Sequence, residues 1–271
     1  MSVTVEDAKN WIHLQLSDKD WMDAVDAASK STVCRSSSTE IVNPYGKPTV
    51  EVIGMTTCDV AKDLIRRQRA GQIDHRAKVV IHNFADQKLV GGYFNKKTSS
   101  AQEESICANT GLYGILLSHS FEHEMLYQNT HEYSISYLNS HYIPMLYHPN
   151  VPIAMKSGVT RDFGLVDIVT AAARNIRKES NKPVNYEELV EEQIFDLFDF
   201  VASQGDNEEI YFITGAWGCG VFGNDPNYIY STMNNYVNLQ PEGNGKMHII
   251  IAVPGGHNLF VAYDVFGKPQ V

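Results

Sequence analysis

The stretch Thr214-Gly-Ala-Trp-Gly-Cys-Gly-Val-Phe-Gly-Asn-Asp-Pro226 decides the fold that this sequence predicts. It follows a strand-like run, residues 210–214, and precedes a predicted helix with Pro226 in its first turn, where a missing N–H costs little. Four glycines within nine residues let the main chain turn sharply and approach a ligand closely. Successive N–H groups in such a turn, backed by a helix N-terminus, bind anions. The stretch therefore predicts a phosphate site at the end of a strand.

A second glycine turn lies upstream, in Val90-Gly-Gly-Tyr-Phe-Asn-Lys-Lys-Thr-Ser-Ser-Ala-Gln-Glu-Glu104. It follows a predicted strand at 78–82, and it ends where a helix is predicted to begin. Acidic residues are favoured in the first turn of a helix by the helix dipole, which alone would account for one glutamate. The dipole does not account for the glycine pair Gly91-Gly92, nor for a second glycine turn after another strand.

The two adjacent glutamates, Glu103 and Glu104, suggest a chemistry for the site. In an open α/β sheet, ligands lie beyond the carboxyl ends of the strands, so both glycine turns could clasp one ligand. Paired carboxylates beside a sugar suit glycosidic cleavage, in which one acid protonates the leaving oxygen. Adjacent side chains on a helix point about 100° apart. We therefore expect one of them to act as the acid and the other to position the substrate.

Strands and helices alternate along most of the chain. Strands are predicted at 49–53, 78–82, 151–155, 165–169, 210–214 and 247–253. Helices are predicted over most of the first thirty residues, at 59–69, at 102–117, from 171–173 onward, after a capping box at Asn185 and Glu188, and after Pro226. This alternation with short connections predicts an α/β sheet with helices on both faces. The polar, histidine-rich region 119–150 is predicted to be an insertion.

Composition excludes several functional classes. The chain has 271 residues, 43% of them hydrophobic, which suits one large domain with a buried core. The net charge of −10 argues against sequence-independent nucleic-acid binding, which requires a basic surface. No apolar run reaches membrane-spanning length, and the first residues do not resemble a secretory signal. The four scattered cysteines predict reduced thiols and a cytoplasmic location, with a nuclear location as the alternative.

Four motifs together resemble the microbial-type poly(ADP-ribose) glycohydrolases. They are Asn83-Phe-Ala-Asp86, Gly91-Gly92, Gln102-Glu103-Glu104-Ser105 and the stretch from Gly215 to Pro226, and the resemblance spans roughly residues 48–262. The resemblance implies a macrodomain-like three-layer α/β/α sandwich with a mixed central sheet. On this interpretation residues 1–45 are an N-terminal helical extension, and residues 46–271 are the catalytic domain that contains the insertion.

The same resemblance implies an activity and a site. The chain would be an ADP-ribosyl glycohydrolase that cleaves the O-glycosidic bond of poly- or mono-ADP-ribose, with Glu104 as general acid and Glu103 fixing the distal ribose. The implied substrate-binding residues are Asp86, Gly91, Gly92, Gln102, Gly218, Cys219, Gly220, Val221 and Phe222. The last five would hold the diphosphate through main-chain N–H groups, and Phe222 would also pack on the ribose. No metal or cofactor is implied. The partner would be ADP-ribose or an ADP-ribosylated protein, and the chain is expected to be a monomer.

The chain departs from the family pattern at one position. The family has three consecutive glycines, but here Tyr93 stands where the third would fall. A tyrosine adopts a positive φ only at a cost in free energy. The tyrosine could therefore keep the ligand from approaching this turn as closely as it does in the family. Two alternatives therefore stay open: a protein that binds ADP-ribose without cleaving it, and a hydrolase of another ADP-ribose derivative.

Other polar residues have simpler interpretations. Cys219 lacks an evident histidine partner, so a packing role is favoured over a nucleophilic one. His119 and His123 have zinc-ligand spacing without a convincing third ligand. Thr56 and Thr57 are candidates for adenine contacts, and Asn258 is expected to shape a turn. His148 is one of several further histidines to which the sequence assigns no partner.

Overall fold

The computed structural model describes residues 2–35, 43–86, 89–118, 144–177 and 182–268. These residues form two compact units. The first unit takes in the described parts of Met1–Arg35, Asn83–Asn129 and Pro144–Ala172, and the second takes in those of Ser36–His82 and Ala173–Val271.

The first unit combines short helices with three antiparallel strands. Its elements are α1 (Val5–Ser17), α2 (Lys19–Lys30), β1 (Val33–Arg35), α4 (Gln102–Cys107), α5 (Leu112–Ser118), β4 (Met145–Lys156) and β5 (Val159–Ala171), with the strands in the order β1-β4-β5. The helix predicted over the first thirty residues is two helices, because Asp18 ends α1 and its carboxylate accepts the N–H of Trp21 to begin α2.

The N-terminal helices form part of the core of this unit. Trp21 is fully buried, and its ring centroid lies 5.3 Å from that of Trp11 and 5.6 Å from that of Phe163 on β5. The indole N–H of Trp11 donates to the carbonyl oxygen of Cys107 at 2.9 Å. Buried aromatic rings contribute much apolar area and leave one polar group to be paired. This packing fixes the last residue of α4, the short helix that carries both glutamates in its first turn.

The helix predicted at 102–117 is interrupted between α4 and α5. The N–H of Gly111 donates to Pro152 O at 2.9 Å, and the N–H of Ala154 donates to Asn109 O at 2.9 Å, so the chain is held against β4. A Cβ on Gly111 would lie 2.5 Å from Val25 Cγ2 and 3.0 Å from Pro152 Cγ. This tertiary contact, which spacing along the sequence does not show, ends α4 after six residues.

The second unit contains parallel strands and longer helices. Its elements are β2 (Thr49–Ile53), α3 (Thr57–Arg69), β3 (Lys78–Phe84, up to His82 in this unit), α6 (Tyr186–Ser203), β6 (Ile210–Thr214), α7 (Pro226–Leu239), β7 (Met247–Ala252) and α8 (His257–Phe266). The strands lie in the order β3-β6-β7-β2, all parallel, with Ile81 beside Ile213 and Thr214 beside Ile251. Their carboxyl ends therefore share one edge, from which the glycine-rich stretch leaves.

The seven described strands are thus antiparallel in one unit and parallel in the other, which confirms the predicted mixed α/β fold. The strands predicted at 49–53, 78–82, 210–214 and 247–253 are β2, β3, β6 and β7. The strands predicted at 151–155 and 165–169 lie inside β4 and β5, which are longer. The predicted insertion falls on residues 119–143, which are outside the described residues, and on the start of β4.

Two local predictions were wrong. Residues 171–173 do not begin a helix, because β5 continues to Ala171 and the chain then runs without helical structure to residue 177. All three alanines are buried, and packing overrides their helix propensity. Asn185 is the N-cap residue of α6, but its side chain makes no capping bond. The N–H of Tyr186 instead donates to Pro183 O at 3.2 Å, so a main-chain turn replaces the predicted capping box.

Candidate active site

The two glutamates predicted to carry the chemistry lie side by side in the first unit and are both buried. Glu103 is 3% exposed and Glu104 is 4% exposed, in the first turn of α4. Burying a carboxylate without hydrogen-bond partners would cost several kcal/mol. The hydrogen bonds that each carboxylate accepts therefore show how the cost of its burial is offset.

Glu103 uses both of its oxygens. Its Oε2 accepts the main-chain N–H of Asp86 at 2.8 Å, and its Oε1 accepts Nδ2 of Asn83 at 3.3 Å. The preceding residue, Gln102, accepts the N–H of Phe84 at 2.9 Å. The beginning of α4 is thereby tied to residues 83–86, where β3 ends. The predicted motif residues Asp86, Gln102 and Glu103 are brought together as the sequence indicated.

Glu104 uses only one of its oxygens. Its Oε1 accepts the main-chain N–H of Tyr93 at 2.9 Å. Its Oε2 has no hydrogen-bond partner among the residues that the structure describes. The two neighbouring acids therefore differ: Glu103 is fixed at both oxygens, whereas Glu104 is fixed at one and has the other available.

The glycine pair makes this arrangement possible. Gly91 and Gly92 have φ angles of 67° and 58°, in the left-handed region. A Cβ on Gly92 would lie 2.7 Å from Glu104 Oε1 and 3.3 Å from Glu103 Oε2. A Cβ on Gly91 would lie 2.6 Å from the ring of Tyr113. Both positions therefore favour glycine, because a side chain would press on the carboxylates at Gly92 and on the ring of Tyr113 at Gly91.

The third position of this turn accommodates a tyrosine without strain. Three described non-glycine residues have a positive φ, and Tyr93 is not among them. Its side chain is 37% exposed, and the ammonium of Lys97 lies 3.5 Å from the ring centroid. The missing third glycine therefore does not distort the main chain that contacts Glu104.

The second glycine loop, in the second unit, offers unused main-chain donors. The N–H groups of Gly218, Gly220, Val221 and Phe222 donate to no described residue, whereas the N–H of Cys219 donates to Ala216 O at 3.1 Å. Val221 is 65% exposed, so the loop is accessible to a ligand. Unpaired N–H groups concentrated in one turn form a concave anion site.

Asn224 holds this loop in shape, a function that sequence reasoning did not assign to it. Its Nδ2 donates to Arg174 O at 2.8 Å and to Gly218 O at 3.0 Å, and its Oδ1 accepts the hydroxyl of Tyr186. Gly218 has a φ of 73°, and a Cβ there would lie 2.4 Å from Asn224 Nδ2. The position of Asn224 within the glycine-rich stretch was the sequence signal that could have indicated this role.

The expected contribution of a helix N-terminus to the anion site is modified by Asp225. This residue caps α7, and its carboxylate accepts the N–H of Asn227 at 2.9 Å. The helix terminus is therefore already occupied by an acid. Burial, with a smaller effect of the Asp225 charge, raises the pKa of the Cys219 thiol to about 12. A thiol with this pKa is protonated at neutral pH, which agrees with a packing role for Cys219.

Asn83 was quoted in the sequence motif but was not assigned a role. It is fully buried, and its Oδ1 has no hydrogen-bond partner among the described residues. Buried polar atoms are normally paired, so this unpaired acceptor is unusual, and it is Nδ2 of the same amide that contacts Glu103. In the sequence, Asn83 directly follows the predicted strand at 78–82, and this position was the signal that could have identified it.

Several other sequence candidates have structural roles or lie elsewhere. Thr56 is the N-cap of α3 and accepts the N–H of Asp59 at 3.2 Å. Asn258 lies in the first turn of α8. His119 and His123 lie outside the described residues. Within the described part of the chain, no group of three potential metal ligands occurs, and no helix is long and apolar enough to cross a membrane.

Comparisons with known proteins show the family to which the chain belongs. The family model for "Microbial-type PARG, catalytic domain" matches residues 3–156, more than half of the chain. The structure is similar to that of poly(ADP-ribose) glycohydrolase (PARG) from Thermomonospora curvata, with a TM-score of 0.73 and 21% identity over 97% of each chain. It is also similar to the Deinococcus radiodurans PARG in complex with ADP-ribose, with a TM-score of 0.64, 25% identity, and coverage of 89% of this chain and 95% of the other.

No curated protein is significantly similar to the chain. The family match nevertheless covers both glutamates, the glycine pair and Asn83. The chain belongs to the family of microbial-type PARG catalytic domains, which are glycohydrolases that act on poly(ADP-ribose).

Proposed function

We propose that this chain reverses ADP-ribosylation by hydrolysing the O-glycosidic bond of poly- or mono-ADP-ribose, with Glu104 as the general acid. The observation that carries the proposal is the unequal pairing of the two buried glutamates. Among the residues that the structure describes, Glu103 accepts hydrogen bonds at both oxygens, and Glu104 accepts one at Oε1 only. A general acid needs an oxygen that can carry a proton to the leaving group, and Oε2 of Glu104 is that atom.

Glu103 has the complementary role of holding the sugar. The N–H of Asp86 and Nδ2 of Asn83 both donate to its carboxylate and hold it in one position. A carboxylate fixed in this way orients the ribose hydroxyls and stabilises positive charge that develops on the ring in the transition state.

The reaction balances with water as the only co-reactant. The bond between the anomeric carbon of the distal ribose and the leaving oxygen breaks, and the electron pair stays with that oxygen. Glu104 supplies the proton that makes it a hydroxyl. Water then adds its oxygen to the anomeric carbon and returns a proton to Glu104, which restores the acid. The products are ADP-ribose and the shortened polymer or the released carrier.

The second glycine loop supports the choice of ADP-ribose as ligand. Four N–H groups of this loop, those of Gly218, Gly220, Val221 and Phe222, have no acceptor among the described residues. A diphosphate supplies several anionic oxygens for such donors. The structure of the Deinococcus radiodurans PARG was determined in complex with ADP-ribose. We infer that this loop binds the diphosphate of ADP-ribose.

Release of ADP-ribose from modified protein tests the proposal. The protein would be incubated with a polymer-modified carrier and with carriers that bear single ADP-ribose units on acidic, serine or arginine side chains. We expect free ADP-ribose from the polymer or from at least one O-linked carrier. Glu104→Gln keeps the shape of the side chain but carries no transferable acid proton, so it serves as the matched inactive variant.

The other two interpretations are distinct outcomes of the same assay. If ADP-ribose binds but no carrier releases it, the chain is a binding protein without catalytic activity, and the proposal is wrong. If ADP-ribose is released only from a nucleotide derivative or a modified base, the proposed substrate is wrong, but the proposed hydrolysis of a bond to ADP-ribose is retained. The predicted monomeric state and the predicted cytoplasmic or nuclear location are separate proposals.

A further inference from the structure

A buried row of polar side chains extends from Glu103 to α2 within the first unit. Nδ2 of Asn83 lies 3.3 Å from Glu103 Oε1 and 3.3 Å from Thr170 Oγ1. Thr170 Oγ1 lies 3.2 Å from Nε2 of His148, whose Nδ1 lies 3.0 Å from Thr32 Oγ1. Asn83, Thr170 and His148 are each fully buried. These residues are 87, 22 and 116 positions apart along the row, so sequence spacing gave no sign of it.

Strand register brings the two central residues together. In the antiparallel pair β4–β5, Leu146 lies opposite Thr170, and His148 lies opposite Ile168. His148 and Thr170 are therefore diagonal neighbours, a separation that a long side chain can bridge. Their contact depends on the same pairing that builds the core of this unit.

The direction of each hydrogen bond follows from Thr32. Its hydroxyl lies 3.1 Å from Ala28 O, an atom that can only accept, so the hydroxyl proton is used there. The oxygen of Thr32 must then accept from Nδ1–H of His148, and a ring whose one proton lies on Nδ1 presents an acceptor at Nε2. Nε2 takes the hydroxyl proton of Thr170, and the oxygen of Thr170 is left as an acceptor.

This polarity fixes the amide of Asn83. Its two neighbours in the row, Glu103 Oε1 and Thr170 Oγ1, both require a donor. Only the NH₂ group of the amide can satisfy them, so Nδ2 faces the carboxylate and Oδ1 faces away. Without the link to His148, the hydroxyl of Thr170 could turn its proton toward the amide, and the amide could rotate. Its oxygen would then face a carboxylate, which repels it.

We propose that His148 is a positioning residue for the hydrolysis: through Thr170 it fixes the orientation of the Asn83 amide and hence the carboxylate of Glu103. His148 does not touch the substrate in this account, and it acts only through the row. The inference rests on the proposed function, because it gives Glu103 the role of holding the ribose.

Thr170→Val tests the inference with little change of shape, since valine replaces the hydroxyl by a methyl group. We expect kcat/KM for ADP-ribose release to fall about tenfold and the Kd for ADP-ribose to rise about threefold, because small misplacements of positioning groups cost up to about 100-fold. His148→Leu should have the same effect. Thr170→Ser restores the hydroxyl, and His148→Gln restores an acceptor near the position of Nε2, so both should stay within about threefold of wild type.

Thr160→Val is the matched control. Thr160 is also buried on β5, and its hydroxyl donates to Asp18 Oδ2 at 2.7 Å, away from the row. We expect this variant to lose thermal stability comparable to that lost by Thr170→Val but to keep wild-type kcat/KM and Kd. The double variant Thr170→Val, His148→Leu should be no less active than either single variant, because both break one link.

The outcomes separate the two proposals. If wild type releases ADP-ribose and both Thr170→Val and His148→Leu remain within twofold of it, the inference is wrong and the proposed function stands. If wild type releases none, the proposed function fails. Calorimetry with ADP-ribose then decides the inference, because Thr170→Val but not Thr160→Val should weaken binding. If Thr170→Ser and His148→Gln do not keep the activity that Thr170→Val and His148→Leu lose, the inference is also overturned.

Discussion

The protein has two glycine turns that follow strands, and they use their main-chain donors in opposite ways. In the turn at Gly91-Gly92, the N–H of Tyr93 is already bonded to a carboxylate of the protein itself, Glu104. In the loop at 218–222, four N–H groups have no acceptor among the described residues. The first turn holds the protein's own anion, and the second is open to an anion from the ligand.

This difference shows what a glycine-rich turn does and does not specify. In both places glycine provides a left-handed conformation and close approach, with φ of 58° at Gly92 and 73° at Gly218. What fills the space against each turn is decided elsewhere, by a glutamate in one case and by Asn224 at the base of the loop in the other. The first arrangement suits catalysis by a positioned acid, and the second suits binding.

Among substitutions within the two glycine turns, the largest effect is expected from Gly92→Ala. The added Cβ would lie 2.7 Å from Glu104 Oε1, so the acid or the turn must shift. We expect turnover of ADP-ribosylated substrate to fall about 100-fold or more, as for misplaced catalytic groups in general, while ADP-ribose affinity changes less. Steady-state release assays and calorimetry on the same preparation measure both.

Gly71→Ala is the control for backbone strain. Gly71 has a φ of 69°, and a Cβ there meets no atom within 4 Å. This variant should lose about 1–2 kcal/mol of unfolding free energy from the left-handed conformation alone and keep full activity. If Gly92→Ala were as active as Gly71→Ala, the close contact between turn and acid would not matter for catalysis.

A smaller effect, on affinity, is expected from Gly218→Ala. The new Cβ would lie 2.4 Å from Asn224 Nδ2 and 2.7 Å from Ala173 Cβ, which disturbs the loop and its free N–H groups. ADP-ribose should bind about tenfold more weakly by calorimetry, which corresponds to the loss of about one hydrogen bond to a charged group. Gly245→Ala, with φ of 70° and open space around it, should leave the affinity unchanged. Affinity equal to that of Gly245→Ala would argue against a diphosphate at this loop.

The smallest effect is expected at Cys219. Because burial raises the pKa of its thiol to about 12, the thiolate is scarce at neutral pH and at pH 9. Cys219→Ala should keep turnover within about twofold, and iodoacetamide should modify Cys219 far more slowly than an ordinary thiol with a pKa of about 8.5. Rapid modification at pH 7, followed in intact protein by mass spectrometry, would show an ionised thiol and reopen a nucleophilic role.

Sequence reasoning was sufficient where local signals and tertiary structure agree. The stretch after β6 was placed correctly, since β6 ends at Thr214 and α7 begins at Pro226, as the glycines and the proline indicate. The strands of the parallel sheet were also predicted, because buried β-branched runs between short connections have few other interpretations.

The errors arose where long-range contacts decide the conformation. The predicted helix is interrupted between α4 and α5, where Gly111 packs on Pro152 and Val25, which are far from it in sequence. The alanines at 171–173 are good helix formers that the core uses in an extended segment. The row through His148 depends on strand register and on a bond to Thr32 that spans 116 residues. Such contacts follow from the folded structure and have no local sequence signal.

The most direct test of the account compares Glu104→Gln with Glu103→Gln, with kcat and the Kd for ADP-ribose measured for both. The account predicts that Glu104→Gln lowers kcat by about 10²–10⁴-fold and leaves the Kd within about threefold of wild type, because only proton transfer is lost. Glu103→Gln should weaken binding as well as turnover, because the fixed carboxylate holds the sugar. Wild-type kcat in Glu104→Gln would contradict the account.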